Sequence, residues 1–198
     1  MKTLTEQDYI NAAKELGCEV AAIKAVAEVE SRGSGFLSSG EPKILFERHR
    51  FYKYTNGKYY NKKEVIDGKE IVNTSNNDIC NKTPGGYGKE SDQHLKLKTA
   101  SALNRDAALM SCSWGRFQVM GDNWQKLGYK TLQEFINKMY DSEGGHLDAF
   151  VRYIKAFGLQ GHLRNKSWAA FAKGYNGPGY KANNYDVKMQ AAYNKYSK

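Results

Sequence analysis

A carboxylate that closes an apolar helix is the first chemically suggestive feature of this chain. The run "CEVAAIKAVAEVE" (18–30) has no glycine or proline and is rich in alanine, so it reads as a helix. At about 100° per residue, Ile23, Val26, Ala27 and Glu30 fall on one narrow stripe. Lys24 and Glu28 share another face at i, i+4 spacing, where a solvated pair is the natural reading. Glu30 therefore sits on the core side, at the negative end of the helix dipole. Lost hydration and the dipole both disfavour its charged form, and a carboxyl kept protonated in this way has the property a general acid needs. The competing reading is a buried carboxylate satisfied by Arg32 or Arg48.

A second carboxylate, Glu47, lies in "PKILFERHRFYKYTNGKYYN" (42–61), a stretch rich in aromatic and β-branched residues with "NG" between two aromatic runs. This is a hairpin-like signal. With 44–51 extended, Leu45, Glu47, His49 and Phe51 project to one side and Ile44, Phe46, Arg48 and Arg50 to the other. Glu47 then stands among apolar neighbours with His49 one strand step along.

Other chemistries find little support. Cys18, Cys80 and Cys112 are an odd number without paired spacing, against both a disulfide framework and a zinc site, and Cys18 and Cys112 read as small core residues. The four histidines show no metal-ligand spacing, so neither metal nor cofactor is expected. A net charge of +9 attracts polyanions in general: nucleic acid, anionic lipid or bacterial wall polymer. No nucleic-acid signature accompanies it.

The elements that must position these residues are mostly helical. Residues 5–16 form an amphipathic pattern, with Thr5 or Thr3 as N-cap and Gly17 as the stop. Residues 61–94 change to Lys, Asn, Gly and Asp and read as a long polar surface excursion, with a small hairpin around "DG". From residue 95 helical signals dominate: "LKLKTASALNRDAALMSC", "SWGRFQVMGDNWQKLG", and "TLQEFINKMYDSEGGHLDAFVRYIKAFG" with "GG" dividing two helices, then "SWAAFAKGYNG". Tyr185, Met189, Ala192, Tyr193 and Tyr196 form a stripe on a last helix, read as a docking helix with a solvated lysine face. There is no repeat and no Pro-rich linker, and the length suits one domain, 1–198. No stretch is long and apolar enough to cross a bilayer, and the N-terminus lacks the apolar region of a signal peptide.

Three separated pieces, "EVESRGSGF", "SWGRFQVMG" and "FAKGYNGPGY", resemble in order the lysozyme-like superfamily of goose-type lysozymes and soluble lytic transglycosylases. With "PKILFERH" and "GGY" in place, the pattern is closer still to the phage endolysin N-acetylmuramidase family, over about residues 20–180 and weakest in 55–84 and the last helix. The resemblance implies a mainly α (α+β) lysozyme-like fold with a small β-hairpin region. It also implies cleavage of the β-1,4 bond between N-acetylmuramic acid and N-acetylglucosamine in bacterial peptidoglycan. Glu30 matches the acid that protonates the glycosidic oxygen and Ser31 the supporting serine after it. Gly115 and Gln118 match a segment where sugar approaches the backbone, and Tyr175 and Asn176 match a motif flanking the acid. Glycoside cleavage commonly uses a second carboxylate, and Glu47, oriented by His49, is the one expected. Tyr87 of "PGGYG" is expected to border the groove.

Each has a structural rival: a salt bridge for Glu47, a satisfied histidine for His49, a bridging amide for Gln118, a core ring for Tyr175, a turn aromatic for Tyr87. Trp114 and Trp124 read as core. A lytic transglycosylase, leaving 1,6-anhydro ends, and a non-catalytic wall-binding module are the alternatives. A monomer is the default expectation; without a signal peptide the chain is expected to be made in the host cytoplasm, which suits an endolysin released by a holin-like pore and held on the wall by its basic charge. A delivered antibacterial toxin would share the chemistry.

Overall fold

In a computed structural model of the chain, the structure describes residues 3–30, 33–60, 62–66, 69–73 and 76–198, with the backbone alone for 62–66 and 69–73. Helix α1 (Glu6–Leu16) begins where Thr5 and Asp8 cap each other: Thr5 Oγ1 accepts from the Asp8 N–H at 3.3 Å and Asp8 Oδ2 from the Thr5 N–H at 2.8 Å. It ends at Gly17, whose left-handed φ of 63° lets its N–H return to the carbonyls of Ala13 and Lys14. Both ends are where the sequence places them.

Helix α2 (Val20–Glu30) buries Ala21, Ala22, Ile23, Ala25, Val26 and Ala27, so it is covered nearly all round. Its alanines let α1 and the last helix, α10 (Tyr185–Tyr196), approach it. Met189 and Ala192 of α10 are buried, as the docking reading expects. Lys24 and Glu28, however, do not pair with each other. Lys24 meets Glu6 at 2.7 Å, while Glu28 accepts from Lys195 at 2.8 Å and from Tyr196 Oη at 2.6 Å. Partners on neighbouring helices replace the weaker intrahelical pair.

Between them run β1 (Ile44–Phe46), α3 (Arg48–Tyr54), a hairpin of β2 (Lys62–Ile66) and β3 (Lys69–Asn73), α4 (Gln93–Leu103), α5 (Arg105–Met110), β4 (Cys112–Trp114), β5 (Val119–Met120), α6 (Leu132–Asp141), α7 (Glu143–Ala156), α8 (Gln160–Arg164) and α9 (Trp168–Asn176). The architecture is mainly helical. Its three-stranded antiparallel sheet runs β1-β4-β5, with Ile44 opposite Trp114, Phe46 opposite Cys112, and Ser113 opposite Met120.

Three expectations are corrected. The extended run 44–51 stops at Phe46, where its partner strand ends; Glu47 turns the chain, its carbonyl accepting from the Arg50 and Phe51 N–H groups to start α3. The driving contact is Phe51, fully buried against Phe46, which overrides the local β preference. His49 is therefore on the first turn of a helix, not one strand step from Glu47.

The second correction is that "SWGRFQVMG" is no helix. It forms the β4–β5 hairpin, because Gly115 (φ 69°) and Gln118 (φ 50°) adopt left-handed backbone that no α-helix contains. The third concerns α6 and α7, which are divided by Ser142 rather than by the glycines: its hydroxyl accepts from the Gly145 N–H at 3.2 Å, and Gly144 and Gly145 lie inside the first turn of α7. A Cβ at Gly145 would stand 2.3 Å from the Lys138 carbonyl oxygen, so the glycine serves helix packing.

The excursion at 61–94 does contain a hairpin flanking "DG", with Ile66 opposite Lys69. Its later part turns inward: Ile79, Cys80 and Gln93 are buried. Gln93 Oε1 accepts from the Phe46 N–H at 2.8 Å while its Nε2 donates to the carbonyls of Tyr87 and Lys89, stitching the loop to β1.

Candidate active site

Glu30 and Glu47 line one cleft of about 870 Å³, together with Gly115, Gln118, Tyr175 and Asn176. Segments distant in the chain thus converge: the end of α2, the β1–α3 corner, the β4–β5 turn and the end of α9.

Glu30 is partly buried, and among the described residues no cation pairs with it. Arg48 instead donates to the carbonyls of Thr83 and Asn77, and Arg32 lies outside the described residues. The hydrogen-bond partner of Glu30 is Asn176, whose Nδ2 donates to Oε1 at 2.8 Å. Burial pushes the carboxyl up to about pKa 7, and the Asn176 hydrogen bond, which favours the charged form, only partly opposes it. A carboxyl shifted in this way keeps its proton to a higher pH than an ordinary glutamate does.

Tyr175 holds the end of α9 in place. Its Oη donates to the Phe117 carbonyl at 2.7 Å, and its ring lies edge-on to Phe150 and Tyr153 and stacked on Phe171. Burial and then the nearby Glu30 keep its hydroxyl well above the usual tyrosine value. The core and cleft readings of Tyr175 therefore both apply.

Glu47 lies at the corner between β1 and α3, anchored by its N–H on the Ser111 carbonyl at 2.9 Å. Its carboxylate is 19% exposed, 3.3 Å from His49 Nε2 and 3.6 Å from Arg50 Nε. Two other carboxylates reach the cleft. Asp122 accepts from Arg50 Nη1 at 2.6 Å and from Tyr54 Oη at 2.5 Å, and Glu90, 59% exposed, pairs with Lys43 at 3.2 Å.

The β4–β5 turn is built from beneath. Gln118 spans it, Oε1 accepting from Ser113 Oγ at 2.7 Å and Nε2 donating to the Gly115 carbonyl at 2.9 Å. His146, fully buried, donates from Nε2 to the Met139 carbonyl and accepts the Arg116 N–H on Nδ1, which requires the neutral Nε2–H tautomer. Burial keeps it below its ordinary value. Arg116 in turn donates to Glu143, which also takes the Gly35 N–H at 2.7 Å and the Leu4 N–H at 3.3 Å.

A Cβ at Gly115 would stand 2.6 Å from the His146 ring. The missing side chain thus makes room for a histidine as well as opening the cleft. Gly115→Ala combines that overlap with a left-handed backbone, and it should destabilise the fold by about 2 kcal/mol in urea unfolding. A change within about 0.5 kcal/mol, the range of a neutral surface substitution, would show the turn to be compliant.

Other sequence expectations fare differently. Ser31 lies outside the described residues. Tyr87 does not line the cleft; its exposed ring belongs to a loop whose carbonyl accepts from Gln93 and Lys96. Trp114 is core, and Trp124 packs against the core from the edge. Arg50, Tyr54 and Asp122 were not singled out by the sequence, although Arg50 and Tyr54 stand at i, i+4 and would share a face had the segment been read as helix. Among the described residues, no cluster of three or more His, Cys, Asp or Glu could hold a metal ion.

The crystal structure of the Burkholderia AP3 phage endolysin is similar with a TM-score of 0.87 and 38% sequence identity, over 98% of this chain and 72% of that one. A comparison with curated proteins found no match. The N-acetylmuramidase family model matches residues 19–197, from the start of the Glu30 helix to the end of α10, and the chain belongs to that family.

Proposed function

We propose that this protein is a peptidoglycan hydrolase of the endolysin kind, cleaving the β-1,4 bond between N-acetylmuramic acid and N-acetylglucosamine with Glu30 as general acid. The observation that carries this reading is a carboxyl pushed up to about pKa 7 in the lining of a cleft, held, among the described residues, by an amide and not by a cation. Asn176 occupies one carboxyl oxygen and leaves the other to carry the proton to the glycosidic oxygen. Positive charge then develops on the sugar, and the bond breaks as the leaving hydroxyl forms.

The second role falls to Glu47. Asp122 is engaged by two donors and Glu90 is largely exposed and paired, whereas the contacts of Glu47 are long and its carboxylate is mostly enclosed. As a carboxylate it either activates water or stabilises and attacks the sugar, completing hydrolysis. Glu47→Gln should lower kcat at least about 10²-fold, the scale of a lost general base. Full activity of that variant would remove Glu47 from the mechanism.

The substrate polymer is anionic, and the net charge of +9 favours residence on a wall or membrane surface. No helix among the described residues is long and apolar enough to cross a membrane. We assign the protein to the cell wall as its place of action, reached after release from the cell that makes it.

Mass spectrometry of the soluble fragments released from purified peptidoglycan tests the reaction. Reducing N-acetylmuramic acid ends are expected. Anhydro ends would identify a transglycosylase, and no fragments would identify a binding module.

A further inference from the structure

Among the described residues Arg50 is the permanently charged group nearest the carboxylate assigned as the second catalytic group, and it is held in an unusual state. Its Nη1 is fixed to Asp122 Oδ2 at 2.6 Å, and Asp122 is itself fixed by Tyr54 Oη at 2.5 Å, one helical turn along α3 from Arg50. Its Nε is buried and has no hydrogen-bond partner among the described residues, while Glu47 Oε2 stands 3.6 Å away. That is too long for a hydrogen bond and short enough to become one with a small rotation of the carboxylate. A buried guanidinium donor left open in this way calls for a reason.

We propose that Arg50 is a positioning residue for Glu47: the Asp122–Tyr54 clamp aims its Nε at the carboxylate and holds that carboxylate oriented in the cleft. This rests on the reading of Glu47 as the second carboxylate. A guanidinium suits the task because its donors are rigidly disposed, so anchoring Nη1 fixes where Nε points. The charge of Asp122 tempers that of Arg50 and spares Glu47 a tight ion pair that would compete with its work on water or sugar.

The groups around Glu47 are few. Its own segment supplies His49 and Arg50, and β4 supplies the buried Cys112 thiol, which burial first and Glu47 second keep well above its ordinary value. Asp122 faces it across Arg50, Tyr153 of α7 senses both Asp122 and Arg50, and Glu30 shares the cleft. Among these, Arg50 is the permanent cation.

The test is the separate measurement of kcat and KM on soluble peptidoglycan fragments for the wild type and for Arg50→Gln, Arg50→Lys and Glu47→Gln. Arg50→Gln should lower kcat about 10- to 100-fold with KM changed less than about threefold, because substrate still binds while the carboxylate of Glu47 is no longer aimed. Arg50→Lys should leave kcat at least about fivefold down, since an ammonium cannot serve both Asp122 and Glu47 in the same geometry.

A folded Arg50→Gln with wild-type kcat, or one whose loss lies in KM alone, would overturn the proposal. Should that variant not fold, Arg50→Lys decides the matter, and wild-type kcat in it would likewise overturn the proposal. A fully active Glu47→Gln would overturn the prior assignment of Glu47, a different failure from wild-type kcat in Arg50→Gln when Glu47→Gln is inactive.

Discussion

Glu30→Gln is expected to lower peptidoglycan cleavage by about 10²- to 10⁴-fold, the range for a lost general acid, and at the same time to make the folded protein more stable at alkaline pH. Both effects have one cause. Burial raises the folded-state pKa of Glu30 to about 7 against the ordinary glutamate value of 4.5. A carboxyl shifted upward contributes no penalty below its unfolded pKa. As pH rises through 4.5 the unfolded chain releases the proton and the folded one retains it, and the fold loses stability until about pH 7, where the loss levels off. The full displacement corresponds to about 3 kcal/mol, an order-of-magnitude figure.

Glutamine is neutral throughout and escapes that loss. The variant should therefore unfold at a higher temperature than the wild type at pH 8 and at nearly the same temperature at pH 4. An inactive variant that is also less stable at pH 8 would point to lost structure rather than lost chemistry. The expected combination is that of a site whose function is held against a stability cost.

Glu143→Ala is expected to cost about 3–5 kcal/mol, the largest single loss of stability we anticipate from a residue outside the cleft. Glu143 is 2% exposed and ties three distant segments together, taking the Gly35 N–H, the Leu4 N–H and the Arg116 guanidinium. Alanine would leave Arg116 without its carboxylate partner and two backbone donors unsatisfied, under the turn that presents Gly115 and Gln118.

Burial by itself raises the pKa of Glu143, yet the Gly35 hydrogen bond, the charge of Arg116 and the Leu4 hydrogen bond together hold it below the ordinary glutamate value of 4.5. A group depressed in the folded state contributes stability above its unfolded pKa and loses it as pH falls through the folded one. The wild type should thus lose this contribution below about pH 4.5, and the difference between wild type and Glu143→Ala in urea unfolding should shrink there. A constant difference from pH 7 to pH 3 would contradict the ionic origin of the effect.

Glu30 was legible in the sequence because helix geometry is local. Ala-rich composition and a regular period place the carboxylate on the stripe, and α1 was legible for the same reason, with Thr5 and Gly17 marking its ends. The resemblance supplied Asn176, which no local pattern links to a residue 146 positions earlier.

What local patterns missed were decisions made by distant partners. Residues 44–46 are a strand because Cys112–Trp114 pair with them, and the chain after Glu47 is helical because Phe51 finds its burial that way. Arg50 and Tyr54 share a face in a strand as in a helix, so local pattern does not set them apart, and their meeting with Asp122, 72 and 68 residues away, was hidden. The hairpin at Gly115–Gln118 was lost similarly: a left-handed glutamine is set by hydrogen bonds from Ser113 and to Gly115, not by its own preference.

The central claim is that Glu30 is a proton donor because the fold keeps it protonated, and the most direct measurement is a ¹³C NMR titration of the glutamate side-chain carboxyls in the wild type and in Glu30→Gln. The account predicts one resonance with a midpoint near pH 7, absent from the variant and matching the alkaline limb of kcat/KM in the wild type. If every glutamate instead titrates in the ordinary carboxylate range while the wild type cleaves peptidoglycan at neutral pH, Glu30 is not the protonated acid and the account is wrong.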